Sequence, residues 1–267
     1  MKQFVLDSEP DADGRVVLKG GDYRYLARVR RLALGECFPA LLPSGSKVTV
    51  RVLSIGSGSL VGDVALSEPA SAGMKEEGRP GLPPIFLFQA IPKGEKMDIV
   101  VRQAAEGAIA EVVPFESDFS DVKMSGRNEN KFLRWERIAK EARQQSGSTI
   151  ATVIRKPMTA DGLFDYWEKI RTERPRAVGL LFHHLHVARA GFAQASLHGC
   201  LAADPETVAL AIGPEGGFSP AEVERFLAAG FLPFTIGDTI LRTETAALYA
   251  QAVVRLLLLE RDSWKTK

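Results

Sequence analysis

The sequence predicts an α/β domain with a mainly parallel sheet, preceded by a small β-rich unit. Three observations predict it. From residue 85 onward, buried-strand runs alternate with segments of helical periodicity, the pattern of a parallel sheet flanked by helices. Before residue 70, short strand-like runs are separated by turn residues, which suits a small β-barrel or sandwich of about 70 residues. Between the two, Pro69 to Pro84 holds four prolines and three glycines among sixteen residues, a linker composition. The expected organisation is therefore 1–70 as barrel, 71–84 as linker and 85–267 as the α/β domain.

In chain order, Phe4-Val5-Leu6, Val16-Val17-Leu18 and the alternating Lys47-Val48-Thr49-Val50-Arg51-Val52 supply the first strands. After the linker, Ile85 to Ala90 reads as a buried strand and Glu95 to Glu106 as a helix. Ala110 to Pro114 is a strand, and Lys131 to Ser146 a helix whose Trp135, Ile138, Ala139 and Ala142 share one face while Arg134, Arg137 and Lys140 stay solvated. Val178 to Phe182, Val208 to Ile212 and Phe231 to Ile236 are further strands, with helices at Pro220 to Ala229 and Thr245 to Glu260.

At 267 residues and 45% hydrophobic content, the chain can bury a substantial core. Met1 to Gly14 holds four acidic residues against Lys2 and lacks the apolar core of a signal peptide. The run Leu256 to Leu259, bounded by Arg255 and Glu260, is far too short to cross a bilayer. A cytoplasmic protein with no membrane partner is expected. Cys37 and Cys200 show no C-x-x-C spacing. His183, His184 and His186 form the sole histidine cluster, after a strand-like run, but no second ligand group has recognisable spacing, so no metal is expected.

The net charge of +1 argues against whole-molecule attraction to nucleic acid, yet the charge is uneven. Residues 15 to 51 carry eight basic and two acidic side chains, with Arg24, Arg28, Arg30 and Arg31 close to Tyr23 and Tyr25. Residues 123 to 145 carry seven basic and three acidic, Lys131 and Arg134 among them. Basic patches with aromatic neighbours fit RNA, whose phosphates meet Arg or Lys and whose unstacked bases meet rings. A solvated charged face is the competing explanation.

Two segments carry the chemistry. Ile212-Gly213-Pro214-Glu215-Gly216-Gly217-Phe218-Ser219-Pro220 and Gly237-Asp238-Thr239-Ile240-Leu241-Arg242-Thr243-Glu244-Thr245-Ala246 each follow a strand-like run and open a helix. Glycine lets backbone approach a ligand, and the free N–H groups of a helix start favour polar or anionic groups. If the strands neighbour one another, both loops open at one sheet edge. Ser219, Pro220 and Glu222 predict a capping box and Gly230 a stop. The bland reading of Gly213, Gly216 and Gly217 is a tight turn. The familiar phosphate loops do not fit, because no lysine follows Gly217 and the glycine spacing is not G-x-G-x-x-G, so ATP hydrolysis and hydride transfer lose ground.

These two motifs resemble those of the RsmE family, the 16S rRNA uracil-N3 methyltransferases. Lys93-Gly94-Glu95-Lys96-Met97-Asp98, the stretch Arg134-Trp135 through Ile138, Glu141-Ala142 and Gln145-Ser146-Gly147, and Leu26, Arg28, Val29, Arg31 and Gly35 fit the same pattern. The resemblance implies a PUA-like RNA-binding barrel, a SPOUT-type parallel sheet with a C-terminal trefoil knot, and a homodimer acting on small-subunit ribosomal RNA. It implies that the knot loops bind S-adenosylmethionine, with Phe182, Ile212, Gly213, Gly217, Ile236, Gly237, Ile240, Leu241 and Arg242 as contacts. Core packing is the competing role for Ile212, Ile236 and Leu241. Arg242 is expected to stabilise charge developing on the target base, and Glu244 to accept a proton or to serve as a helix-start acid. The chain departs from the family pattern at Gln103, where lysine is usual, at Gly107-Ala108 in place of a Leu-Gly pair, at Phe119 and Ser148 in place of arginine, and at Arg24-Tyr25 in place of a His-His pair. These departures fall mainly in segments that could face RNA. They leave open methylation of another RNA position, or RNA binding without catalysis. A metal-dependent hydrolase would rest on the histidine cluster alone.

Overall fold

The computed structural model describes residues 4–66, 81–120, 129–183 and 196–264. The chain divides into two compact units, residues 1–79 with 143–151, and residues 80–142 with 152–267.

The first unit is a five-stranded sheet of order β1-β3-β4-β5-β2, with β1 (Phe4–Val5), β2 (Arg15–Lys19), β3 (Cys37–Leu41), β4 (Lys47–Ile55) and β5 (Ser59–Leu66). All pairs are antiparallel except β1 with β3. Strict alternation along β4 sends Val48, Val50 and Val52 inward to meet Phe4, Leu18, Phe38 and Leu60. Between β2 and β3 a short helix α1 (Gly20–Tyr23) runs into a π-helical turn, Arg24–Val29. That turn drives Leu26 into the core and leaves Arg24 and Arg28 exposed. Residues 143–151 join this unit through Arg143, whose guanidinium donates to the carbonyls of Leu42, Ser148 and Thr149 at 3.2 Å each. Burial without a carboxylate lowers the Arg143 pKa.

The second unit is a six-stranded, wholly parallel sheet of order β11-β9-β10-β6-β7-β8. Its strands are β6 (Ile85–Ala90), β7 (Glu111–Phe115), β8 (Val153–Ile154), β9 (Ala177–Phe182), β10 (Thr207–Ile212) and β11 (Phe231–Phe234). Every residue of β6 and β10 is buried, which explains why both read as unbroken apolar runs. Alternate residues serve two cores. On one face Leu87, Val112, Leu180 and Leu210 meet α2 (Lys96–Glu106), α3 (Glu129–Ser146) and α7 (Thr243–Trp264). On the other, Phe88, Phe115, Ala209 and Phe231 meet α4 (Ala160–Glu173) and α6 (Pro220–Ala228) through Trp167 and Phe226. Helix α5 (Leu197–Ala202) precedes β10.

The strands before the two glycine loops are not neighbours, because β9 lies between β10 and β11. All three are parallel, so both loops still leave the same C-terminal sheet edge, with the end of β9 between them. At its edge position β11 tolerates Pro233, which lacks an amide hydrogen. It stops at Phe234, releasing Thr235 and Ile236 to the loop.

Candidate active site

Local chemistry explains the first loop. Ser219 Oγ accepts from Glu222 N at 3.1 Å and Glu222 Oε2 accepts from Ser219 N at 2.9 Å, with Pro220 in the first helical position, so the capping box forms as the sequence predicts. Gly230 follows α6 with φ +84°. Gly217 turns the chain with φ +72°. A Cβ on Gly213 would lie 3.2 Å from Gly217 Cα, so its bareness lets the loop close on itself, a use other than approach to a ligand.

Side-chain hydrogen bonds of Thr243, Gln89 and Glu215 fasten the loops to one another and to the end of β6. Thr243, at the start of α7, donates from Oγ1 to the Gly213 carbonyl at 2.7 Å and accepts from Gln89 Nε2 at 3.0 Å. Gln89, the penultimate residue of β6, is fully buried and also donates to Ala90 O at 2.9 Å, while its Oε1 has no partner among the described residues. Glu215 reaches the loop after β6, accepting from Lys93 N at 3.2 Å and from Lys96 Nζ at 2.5 Å. Burial alone would raise the Glu215 carboxyl, but the Lys96 ammonium and the backbone donors hold it below the ordinary carboxylate range.

Together the two loops and the end of β9 enclose one pocket at the sheet edge. Of the residues expected to contact a cofactor, Phe182, Ile212, Gly213, Gly217, Ile236, Gly237, Ile240 and Leu241 line it, joined by His183, Glu215, Phe218 and Thr243 among others. Arg242 does not line it. Its side chain is exposed and has no partner among the described residues, while its carbonyl accepts from Ala246 N at 2.8 Å. Glu244 sits in the first turn of α7 with Oε2 closed to solvent and unpartnered. Gly237 has φ +69°, and a Cβ there would meet nothing within 4 Å, so its backbone borders open space. The walls combine apolar side chains and glycine-loop backbone with the polar groups of His183, Glu215, Thr235, Thr239 and Thr243, and they lie at the C-terminal edge of a parallel sheet, where small molecules bind in such folds.

The expected RNA contacts fall in two places. Arg24 and Arg28 lie on the π-helical turn, with Arg30 and Arg31 just beyond it, and none of the four makes an ion pair among the described residues. Arg31 holds a left-handed φ of +55°. Lys131 and Arg134, on α3, line a second cleft over the loop after β6. There Arg134 pairs with Asp98 at 2.5 Å and Glu95 at 3.2 Å, and Asp98 also accepts from Trp135 Nε1 at 3.1 Å. Arg134 is thus engaged within the protein, unlike the arginines of the turn. Not every departure from the family pattern faces outward, for Gln103 has its Oε1 shut away from solvent. Of the histidines, His183 lines the pocket, and His184 and His186 lie outside the described residues.

Comparison with known proteins agrees with this geometry. Residues 80–255 match the model of the RNA methyltransferase domain. The chain is 29% identical over 258 residues to ribosomal RNA small subunit methyltransferase E of Synechocystis sp., covering 96% of this chain and 78% of that relative. It is also similar to the structure of a putative methyltransferase from Legionella pneumophila in complex with the bound cofactor SAM, at 25% identity, TM-score 0.73 and coverage of 96% and 97%. The fold is shared with a ribosomal RNA small subunit methyltransferase E from Neisseria gonorrhoeae bound to S-adenosyl methionine, at 23% identity, TM-score 0.73 and coverage of 96% and 98%.

Proposed function

We propose a function from one premise: the chain belongs to the RNA methyltransferase family. It is an enzyme of that family, and its resemblance to the RsmE group is borne out by relatives at 26–29% identity over nearly its whole length. The function the geometry supports best is transfer of a methyl group from S-adenosylmethionine to small-subunit ribosomal RNA, at N3 of a uridine. One observation carries it: two glycine-bearing turns, separated by α6 and β11, line a single pocket at the C-terminal sheet edge.

The residues present fit the cofactor. Ile212, Ile236 and Leu241 offer apolar walls for a flat base, and the open space beside Gly237 is where any side chain would intrude. S-adenosylmethionine, when bound, supplies a methyl group already activated on a sulfonium sulfur. The protein's task is alignment of the uridine ring and handling of one proton. Uridine N3 is protonated at neutral pH, so the proton must leave and charge must gather on the ring oxygens. Arg242, exposed and unpaired among the described residues beside Leu241 of the pocket wall, meets that charge. Glu244, two residues further on in the first turn of α7, is assigned the substrate proton in this reading, its Oε2 having no partner among the described residues. The exposed arginines 24, 28 and 31, with Arg30, hold the phosphate backbone, and Lys131 adds to them.

The finer parts of this reading are a C-terminal trefoil knot, a PUA-like closure of the N-terminal sheet, a homodimer and a cytoplasmic site of action. The dimer is supported by a second apolar face on α7, where Leu248, Tyr249, Val253, Leu256 and Leu259 are all at least 40% exposed. No helix among the described residues is long and apolar enough to cross a membrane.

Mass-spectrometric mapping of small-subunit rRNA from cells with and without the gene tests the function. The expected result is one N3-methyluridine that disappears on deletion and returns with the wild-type gene. Unchanged rRNA would overturn the reading, and a lost methyl at another position would redirect it to a different RNA target.

A further inference from the structure

Phe119, in the loop after β7, is the one exposed phenylalanine among the described residues, at 49%. A single exposed apolar side chain is ordinary, so exposure alone carries nothing. Its mounting is what sets it apart. On one side Asp118 N donates to Glu222 Oε1 at 3.0 Å, Asp118 Oδ2 accepts from Ser219 Oγ at 2.5 Å, and Ser117 Oγ donates to Glu222 Oε2 at 3.2 Å. On the other, Ser120 Oγ donates to Ile91 O at 3.1 Å. The loop is therefore fastened to the start of α6 and to the end of β6, and Phe119 is held out to solvent by a rigid frame.

The ring rests on the cofactor loop itself. A Cβ on Gly216 would lie 3.0 Å from Phe119 Cβ and 3.4 Å from its Cγ, while the flanking Glu215 and Gly217 line the pocket. An exposed aromatic ring is thus held against the loop whose Glu215 and Gly217 line the pocket. The same capping box that starts α6 supports both the pocket loop and this ring.

We propose that Phe119 is a stacking platform for an unpaired base of the RNA substrate, next to the methyl-transfer pocket. The proposal rests on the RNA methylation reading above. A target uridine must leave its stack to reach a pocket, and an aromatic face at the rim replaces the stacking that is lost. Stacking on a ring needs a π-face and tolerates any base, so the side chain can hold a substrate strand without dictating its sequence.

Small ribosomal subunits isolated from the deletion strain serve as substrate for wild type, Phe119→Ala, Phe119→Leu and Phe119→Trp. S-adenosylmethionine affinity is followed in parallel by calorimetry and oligomeric state by sedimentation. Phe119→Ala is expected to raise KM for the subunits about 5- to 100-fold, the range of stacking losses on alanine substitution, with cofactor affinity unchanged. Phe119→Trp keeps the wild-type KM and Phe119→Leu does not. An unchanged KM for the alanine variant, a leucine variant equal to wild type, an equal loss of cofactor affinity, or a loss confined to self-association each overturns the platform. Wild-type protein that leaves these subunits unmethylated sinks the underlying reading instead.

Discussion

At the scale of single residues, the pocket is built from groups that add little side chain of their own. Gly213 lets the first loop fold onto Gly217, and Thr243 spans from the second loop to the Gly213 carbonyl. The motifs made the glycines legible. Sequence could not reveal Gln89 or the Lys96–Glu215 pair, because those partners stand 154 and 119 residues from the groups they bind and only the sheet order brings them together. Arg242 was legible as a motif residue, but its outward direction is set by how α7 begins. Glu215 gives a pH prediction. Its carboxyl is held below its ordinary value of 4.5, so the ionised form stabilises the loop above that pH, and this contribution is lost as pH falls through the depressed value. Cofactor affinity measured by calorimetry should stay level from neutral pH down to the ordinary carboxylate range and weaken below it. Glu215→Gln should bind about three- to tenfold more weakly at neutral pH, in line with ~1 kcal/mol for a partly exposed charge-assisted bond, and lose the acid-dependent step. An acid profile identical in both proteins would exclude this role.

At the scale of elements, helices α2, α3, α6 and α7 and the central strands of the second unit are readable because burial on both sheet faces, or on one helix face, stamps a period on the sequence. The π-helical turn at Arg24–Val29 carries no such period, and β3 and β5 take their place from pairing with β4. Helix α4 was missed although Leu163, Trp167 and Ile170 recur at helical spacing and Thr159 caps it by accepting from Gly162 N. The end of α2 shows what a departure from the family pattern costs. Ile109 N donates to Ala104 O at 2.9 Å and Ala108 N to Ala105 O at 3.3 Å, a Schellman closure whose left-handed position is Ala108, with φ +56°. The Leu-Gly pair usual in the family would put glycine there. Ala108→Gly should therefore stabilise the protein by ~1 kcal/mol, because alanine pays a steric penalty in this conformation that exceeds the extra chain entropy of glycine. Urea unfolding would detect the higher midpoint, and a lower one would mean that the cap is not under strain.

For the whole molecule, the outstanding surface is that of α7, which is apolar on opposite sides. Ala247, Ala250, Val254 and Leu258 face the sheet, while Leu248, Tyr249, Val253, Leu256 and Leu259 stand in the open. A helix that is apolar all round is normally buried all round, and a lone chain leaves half of this one wet. A second copy offering the same face by twofold symmetry would cover it, provided that each partner buries on the order of 800 Å². Leu256 is 54% exposed, so replacing it with glutamate should leave the monomer folded. In a dimer the same change would strand a charge in an apolar seam, at a cost of ~3 kcal/mol or more, which weakens association about a hundredfold. Sedimentation equilibrium should then find a dimer for wild type and a monomer for Leu256→Glu at micromolar concentration, with matching circular dichroism. Methylation should fall with the dimer, since α7 also begins with Thr243, the residue that locks the two pocket loops, and a helix freed of its partner holds that lock less firmly. A wild-type monomer, or a Leu256→Glu dimer, would mean that the exposed face of α7 has a different partner.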